Sequence, residues 1–167
     1  VALTVRQLAK PAPKILDRLS KSDVFVISTP DDVLEPTAER WAALLSASPI
    51  TRKRSRRVTL HTSGATSSGV LSALASLGFA IGSVHPLVSI ADPAKAGNPF
   101  RGTYFCVEGQ PEAVRLAERL VKDLGGHTFT IHSEAKPLYH AAAAISSGHV
   151  VALIDVAIEM LEECGLS

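Results

Sequence analysis

Three short runs of β-branched and aromatic residues, each stopped by small or polar residues, constrain this chain more than any other feature. The first is Val24 to Ile27, entered from Lys21-Ser22-Asp23 and left through Ser28-Thr29-Pro30-Asp31-Asp32. A continuous apolar run between turn residues suits a strand buried on both faces, as in a parallel sheet. The second, Val58 to His61, ends in Thr62-Ser63-Gly64, and the third, Phe79 to Val84, in His85-Pro86. Between them, Thr37 to Leu45 sets Ala38, Trp41, Ala42 and Leu45 on one helical stripe. Ser68 to Leu77 reads as a short helix closed by Gly78. The alternation predicts a doubly wound α/β sheet with its ligands at the strand ends.

After the third strand the spacing changes. Asp92 to Arg101 holds Pro93, Gly97, Asn98 and Pro99 and reads as a loop. Thr103 to Val107 and His127 to His132 alternate like exposed strands. Between them lies a helix that opens on Pro111 and Glu112. Its stripe is Val114, Ala117, Leu120, Val121 and Leu124, and Gly125-Gly126 ends it. From Lys136 to about Cys164 one helical pattern is apolar nearly all round. It is expected to be buried on most sides, by a second helical domain, a partner subunit or both. The division predicted is residues 1–133 as an α/β domain and 134–167 as the start of a helical one. Both ends read as cut: Val1 to Lys10 lacks a complete strand–turn–helix, and Gly165-Leu166-Ser167 stops where another helix is expected.

Composition excludes more than it selects. Lys plus Arg number 17 against 16 for Asp plus Glu, so nothing pulls the whole chain toward nucleic acid or an anionic membrane. The basic run Arg52 to Arg57 reads as a solvated loop, since specific nucleic-acid binding asks for more than one patch. Cys106 and Cys164 sit in apolar runs and read as buried free thiols of a reducing compartment. No charged leader precedes an apolar block at the start. Ala141 to Leu161, interrupted by Ser146, Ser147, Gly148, His149, Asp155 and Glu159, reads as too polar to span a bilayer. A cytoplasmic protein with no nucleic-acid or membrane partner is expected.

The chemistry-bearing residues gather at the strand ends. Thr29-Pro30-Asp31 either lines a cofactor or starts a helix. His61, Ser63 and Gly64 either bind a carboxylate or phosphate or form an ordinary strand-to-helix turn. His85, fixed by Pro86, is placed for acid–base work or is structural. Lys136 and His140, four apart on a helix, share a face and need partners, or a pocket to face. His127, His132 and His149 lack metal-ligand spacing, so no metal is expected. No Gly-x-Gly-x-x-Gly occurs in the chain.

Four motifs in order, Val-Ile-Ser-Thr-Pro-Asp-Asp (26–32), His-Thr-Ser-Gly-Ala (61–65), Gly-Ser-Val-His-Pro-Leu (82–87) and Glu-Ala-Lys-Pro-Leu-Tyr-His-Ala-Ala-Ala (134–143), carry a resemblance over nearly the whole chain. The sequence resembles the Rossmann-like proteins with a C-terminal helical domain of unknown function, within the 6-phosphogluconate-dehydrogenase-like superfamily. That resemblance implies a Rossmann-like domain, incomplete at its N-terminus, followed by the start of an all-α domain that forms a homodimer. It implies NADP, or NAD, as cofactor, with Thr29, Pro30 and Asp31 in cofactor-binding positions. His85-Pro86 is similar to the His-Pro pair in the active site of prephenate dehydrogenases. Ser146-Ser147-Gly148 is similar to the substrate-binding Ser-Gly region of pyrroline-carboxylate reductases, which makes Ser147 and Gly148 substrate-binding candidates. Many of the related proteins have Asn where Gly148 stands. The expected activity is an NADP-dependent reductase or dehydrogenase for a small carbonyl, imine or hydroxy acid. His140 or His85 would be its acid–base group, Lys136 would hold a substrate anion, and Ser63 and Ser147 would donate hydrogen bonds. The alternative is a non-catalytic dinucleotide sensor or dimerisation module.

Overall fold

A computed structural model describes residues 22–47, 57–89 and 99–166. Val1 to Lys10, Arg52 to Arg56 and the greater part of the Asp92 to Arg101 loop lie outside the described residues. The described strands are β1 (Val24–Ile27), β2 (Val58–His61), β3 (Ala80–Pro86), β4 (Tyr104–Gly109) and β5 (His127–Thr130). They form one five-stranded sheet in the order β1-β2-β3-β4-β5. β1, β2 and β3 are parallel, β4 is antiparallel to β3, and β5 is parallel to β4. The sheet is therefore mixed, an α/β arrangement of Rossmann-like type with one reversed pair.

Register sorts the side chains into two faces, because residues paired across strands project to the same side. One face carries Phe25, Ile27 and Ile81 beneath α1 (Leu34–Ser46) and α2 (Ser72–Ala75). Trp41 of α1 meets Phe25 edge-on at 5.5 Å between ring centroids, and Phe25 meets Phe79 at 5.3 Å. Offset and edge contacts of this kind add to the area that the rings bury. The opposite face carries Val58, Leu60, Phe105 and Val107 beneath α3 (Pro111–Asp123). α3 opens with Pro at its first position and stops at Gly125, whose φ of 80° suits the left-handed turn that ends a helix.

Several expectations change here. β4 is not an exposed strand: Phe105, Cys106, Val107 and Glu108 are all buried, since β3 and β5 flank it and α3 covers one face. Cys106 is buried but Cys164 is exposed. Arg57, at the end of the basic run, is not solvated. It is buried with its guanidinium carbon 5.6 Å from the Phe79 ring centroid.

The long C-terminal helix forms in three pieces: α4 (Lys136–Ala144), a π-helical turn (Ile145–His149) and α5 (Val150–Glu163). Beyond Lys136 it contains no buried residue, and Leu138 and Leu153 are 76% and 70% exposed. Among the described residues nothing supplies the predicted burial. The continuous helix Ser133–Glu163 also corrects the reading that this stretch is too polar for a bilayer. At 31 residues, with a mean hydropathy of 1.8 in its most apolar window, it is long and apolar enough to cross a membrane by length and composition.

Candidate active site

The strand ends meet as the alternation predicts. Ile27, His61 and Ser83 stand in one row across β1, β2 and β3, and Ser83 is paired with Glu108 of β4. Two residues further along β3, His85 is paired with Cys106, which is paired in turn with Phe129 of β5. α4 climbs along these two rows. Four helical residues rise about 6 Å and two strand residues about 6.6 Å. Lys136 therefore sits over the first row, while Tyr139 and His140 arrive over the second.

The first row is a closed polar clasp. Lys136 is fully buried, and its ammonium donates to the Ser63 carbonyl at 2.7 Å and to Ser83 Oγ at 2.7 Å. The Glu108 carboxylate lies 3.8 Å away. Glu108 accepts from the Ser68 amide and hydroxyl, both at 2.8 Å, and from the Ser133 hydroxyl at 2.7 Å. Burial alone would raise the Glu108 carboxyl, but hydrogen bonds from Ser133, Ser83 and Ser68 hold it below its ordinary value. Burial pulls Lys136 down, and Glu108 opposes that pull. His61 lies wholly inside beside them. Its Nδ1 accepts from the Ser63 amide at 3.2 Å, and its Nε2 faces the Ser67 backbone without closing a hydrogen bond of good geometry. Burial, then the Lys136 charge, takes its pKa down to about 4, so the ring is neutral.

The second row is open. His85 of β3 and His140 of α4 meet edge-on at 5.6 Å between ring centroids. Both lean over Gly64. A Cβ there would fall 2.4 Å from His140 Nδ1 and 2.7 Å from His85 Nε2, so no other residue fits without moving them. Tyr139 stands behind His85, its hydroxyl 2.9 Å from His85 Nδ1. His140 Nδ1 is buried with no hydrogen-bond partner. Burial, then the His140 and Lys136 charges, lowers the His85 pKa to about 4, and burial raises Tyr139 to about 12. At neutral pH His85 is uncharged and Tyr139 keeps its proton. The two histidines open onto a cavity of about 330 Å³, which Leu87, Ala143 and Ser147 also line.

The residues singled out in the sequence divide accordingly. His85, His140 and Ser147 share the cavity wall, whereas Lys136 and His61 are sealed beneath it. Lys136 is fully buried, with two hydrogen bonds to protein groups and the Glu108 carboxylate 3.8 Å away, so its ammonium does not reach the cavity where a substrate anion would sit. Ser63 Oγ donates to Asp31 Oδ2 at 2.9 Å and accepts from the Thr66 amide at 3.0 Å. That bond ties the β2 end to exposed Asp31, the residue after Pro30. Thr29 Oγ1, at the end of β1, is buried with no partner. Ser147 Oγ donates to the Ala143 carbonyl at 2.8 Å, which leaves its lone pairs, rather than its proton, for a ligand. Gly148 is exposed and its missing Cβ would meet nothing. Ser83 and Glu108 escaped the sequence reading, and Tyr139 entered it only as a further polar group on the helix of Lys136 and His140. An acid within the apolar run Phe105 to Glu108 was the available signal for Glu108, because an unpaired charge is rarely buried.

Residues 103–167 match the family model described as a domain of unknown function, DUF2520. Among solved structures, the chain is similar to protein TM1727 from Thermotoga maritima, with 23% identity and a TM-score of 0.64 over 85% of this chain and 50% of that one. It is similar to a pyrroline carboxylate reductase from Plasmodium falciparum solved with NADP bound, at 16% identity and a TM-score of 0.59, covering 91% and 53%. It is also similar to prephenate dehydrogenase from Aquifex aeolicus, at 16% identity and a TM-score of 0.55, covering 87% and 53%. These likenesses show a Rossmann-like fold, in keeping with the superfamily that the four motifs resemble. The chain spans about half the length of the solved structures it matches. No curated protein matches it.

Proposed function

We propose that this chain is part of an oxidoreductase that uses a nicotinamide dinucleotide, NADP or alternatively NAD, on a small carbonyl, imine or hydroxy acid. One observation carries the reading. Two imidazoles, one at the end of a parallel strand and one on the first turns of α4, converge over Gly64 at the mouth of a cavity. Such a rim is where open α/β sheets bind ligands. The cofactor would supply the hydride.

The residues that would hold its nicotinamide end are Thr29, Pro30 and Asp31. The buried, unpartnered Thr29 hydroxyl is the feature that fits them to a sugar or amide. The Gly-x-Gly-x-x-Gly that cradles a pyrophosphate is not in this chain, so that part of the site would be built by other residues. His85 or His140 exchanges the proton with substrate, and the Ser147 hydroxyl accepts a hydrogen bond from it. Lys136 supplies a fixed positive charge beneath the imidazoles and does not touch substrate. Titrating NADPH into the full-length protein while following its fluorescence tests the reading; no binding at millimolar concentration removes it.

The internal engagement of Lys136 and Ser63 favours one rival, a dinucleotide sensor that binds without turnover. His140→Ala with intact NADPH affinity and lost reductase activity would reject that rival. The exposed apolar faces of α4 and α5 support a further part of the proposal, a homodimer in which the helix of a second copy covers them.

A further inference from the structure

The hydrogen bond between Tyr139 and His85 has a direction that the surroundings decide. A neutral imidazole carries one proton, on Nδ1 or on Nε2, and the partner of the other nitrogen selects which. Tyr139 is held between Phe129, edge-on at 5.8 Å, and His85, edge-on at 5.7 Å, so its phenol has little freedom to turn elsewhere. Its hydroxyl has one hydrogen-bond partner among the described residues, His85 Nδ1 at 2.9 Å. If Nδ1 carried the proton and donated to the phenol, the Tyr139 proton would have no protein acceptor among the described residues, an arrangement that half-buried hydroxyls avoid.

We propose that Tyr139 is a positioning residue that fixes the tautomer of His85: its hydroxyl donates to Nδ1 and the ring proton is held on Nε2. That proton then lies over Gly64, beside the unpartnered His140 Nδ1 and at the cavity wall. The substrate atom it meets is therefore a hydrogen-bond acceptor, such as a carbonyl or hydroxyl oxygen or an unprotonated imine nitrogen, and not a cationic group. The choice of substrate atom rests on the function proposed above; the tautomer does not. The low His85 pKa supports the tautomer argument, because only the neutral ring has a choice to make.

The experiment is a long-range proton–nitrogen correlation spectrum of the full chain labelled with nitrogen-15 histidine, near neutral pH. His85 in the unaltered protein is expected to show one tautomer, protonated at Nε2. Tyr139→Phe, which removes only the hydroxyl, is expected to lose that single-tautomer pattern while the exposed His127 and His132 signals stay in place. A native His85 protonated at Nδ1 overturns the proposal, whatever the variant does. So does an unchanged Nε2–H pattern in Tyr139→Phe. If NADPH fails to bind while the tautomer pattern holds, the dinucleotide reading falls and this assignment stands.

Discussion

Lys136 and His140 stand one helical turn apart on α4, yet they meet opposite surroundings. The lysine enters a clasp in which a carbonyl and a hydroxyl accept its protons and a carboxylate 3.8 Å away balances its charge. The histidine enters a space with a buried nitrogen left without a partner, another imidazole across from it and a glycine below. Burial of polar groups is common to both. Completion is what separates them: a satisfied buried network holds parts of a molecule together, whereas an unsatisfied one at a cavity is available to a ligand.

The clasp should break hardest. Lys136→Met leaves Glu108 buried without its counter-charge, and a loss of about 3–5 kcal/mol is expected in urea denaturation. A loss below about 1 kcal/mol would mean the clasp holds nothing. Acid should come next. His61 and His85 have folded pKa values of about 4 against 6.5 when unperturbed. Between those values the unfolded chain binds the protons, so stability is full above 6.5 and falls as the pH drops toward 4. Glu108, held low in the folded state, adds a loss in the same direction further into acid. The denaturation midpoint should therefore fall by a few kcal/mol equivalents across this window. His61→Gln should flatten the slope; an unchanged slope would show that His61 is not the group responsible.

Gly64→Ala tests the open row. The new methyl group would meet both histidines, and overpacking of this kind costs about 1–3 kcal/mol. The larger consequence expected is displaced His85 and His140 signals in the same histidine spectrum, with the clasp intact. The smallest effect on stability should come from Leu153→Ser on α5, about 0.5 kcal/mol or less for an exposed position. Its readout is mass: if copies pair through α5 as proposed, sedimentation of the variant should shift toward monomer. A dimer of unchanged strength would place the interface elsewhere.

The strand ends were legible because a continuous apolar run followed by small polar residues has few readings in an α/β chain. α3 was legible because a Pro start and a Gly stop frame it, but its stripe only in part: Ala117 and Val121 are buried, Val114 and Leu120 partly so, Leu124 is exposed, and the buried Ala113 was missed. The burial of β4 was not. Thr103 to Val107 alternates like an exposed strand, but β3 and β5 flank it, α3 covers one face, and Ser68, Ser133 and Lys136 close over Glu108 on the other. Nor does any local signal announce that β3 and β4 run in opposite directions. Within the site, the convergence of His85 and His140 was foreseen by position. The sequestration of Lys136 was not, because its partners are a backbone carbonyl on one loop, a hydroxyl on β3 and an acid on β4. Each comes from a different stretch of sequence. Cys164 was misjudged because no described residue covers the apolar helix around it.

The π-helical turn at Ile145–His149 has a consequence for how α4 and α5 line up. A single wider turn adds one residue to the spiral and so rotates everything beyond it by about 100°. Residues of α5 are therefore rotated from where an uninterrupted continuation of the His140 and Ala143 side of α4 would place them. The turn that makes this offset also carries Ser147 at the cavity wall. A stripe that starts at His140 on α4 is thus not carried in line onto α5, so substitutions that follow the α-helical spacing from His140 lose the cavity side once they pass the turn.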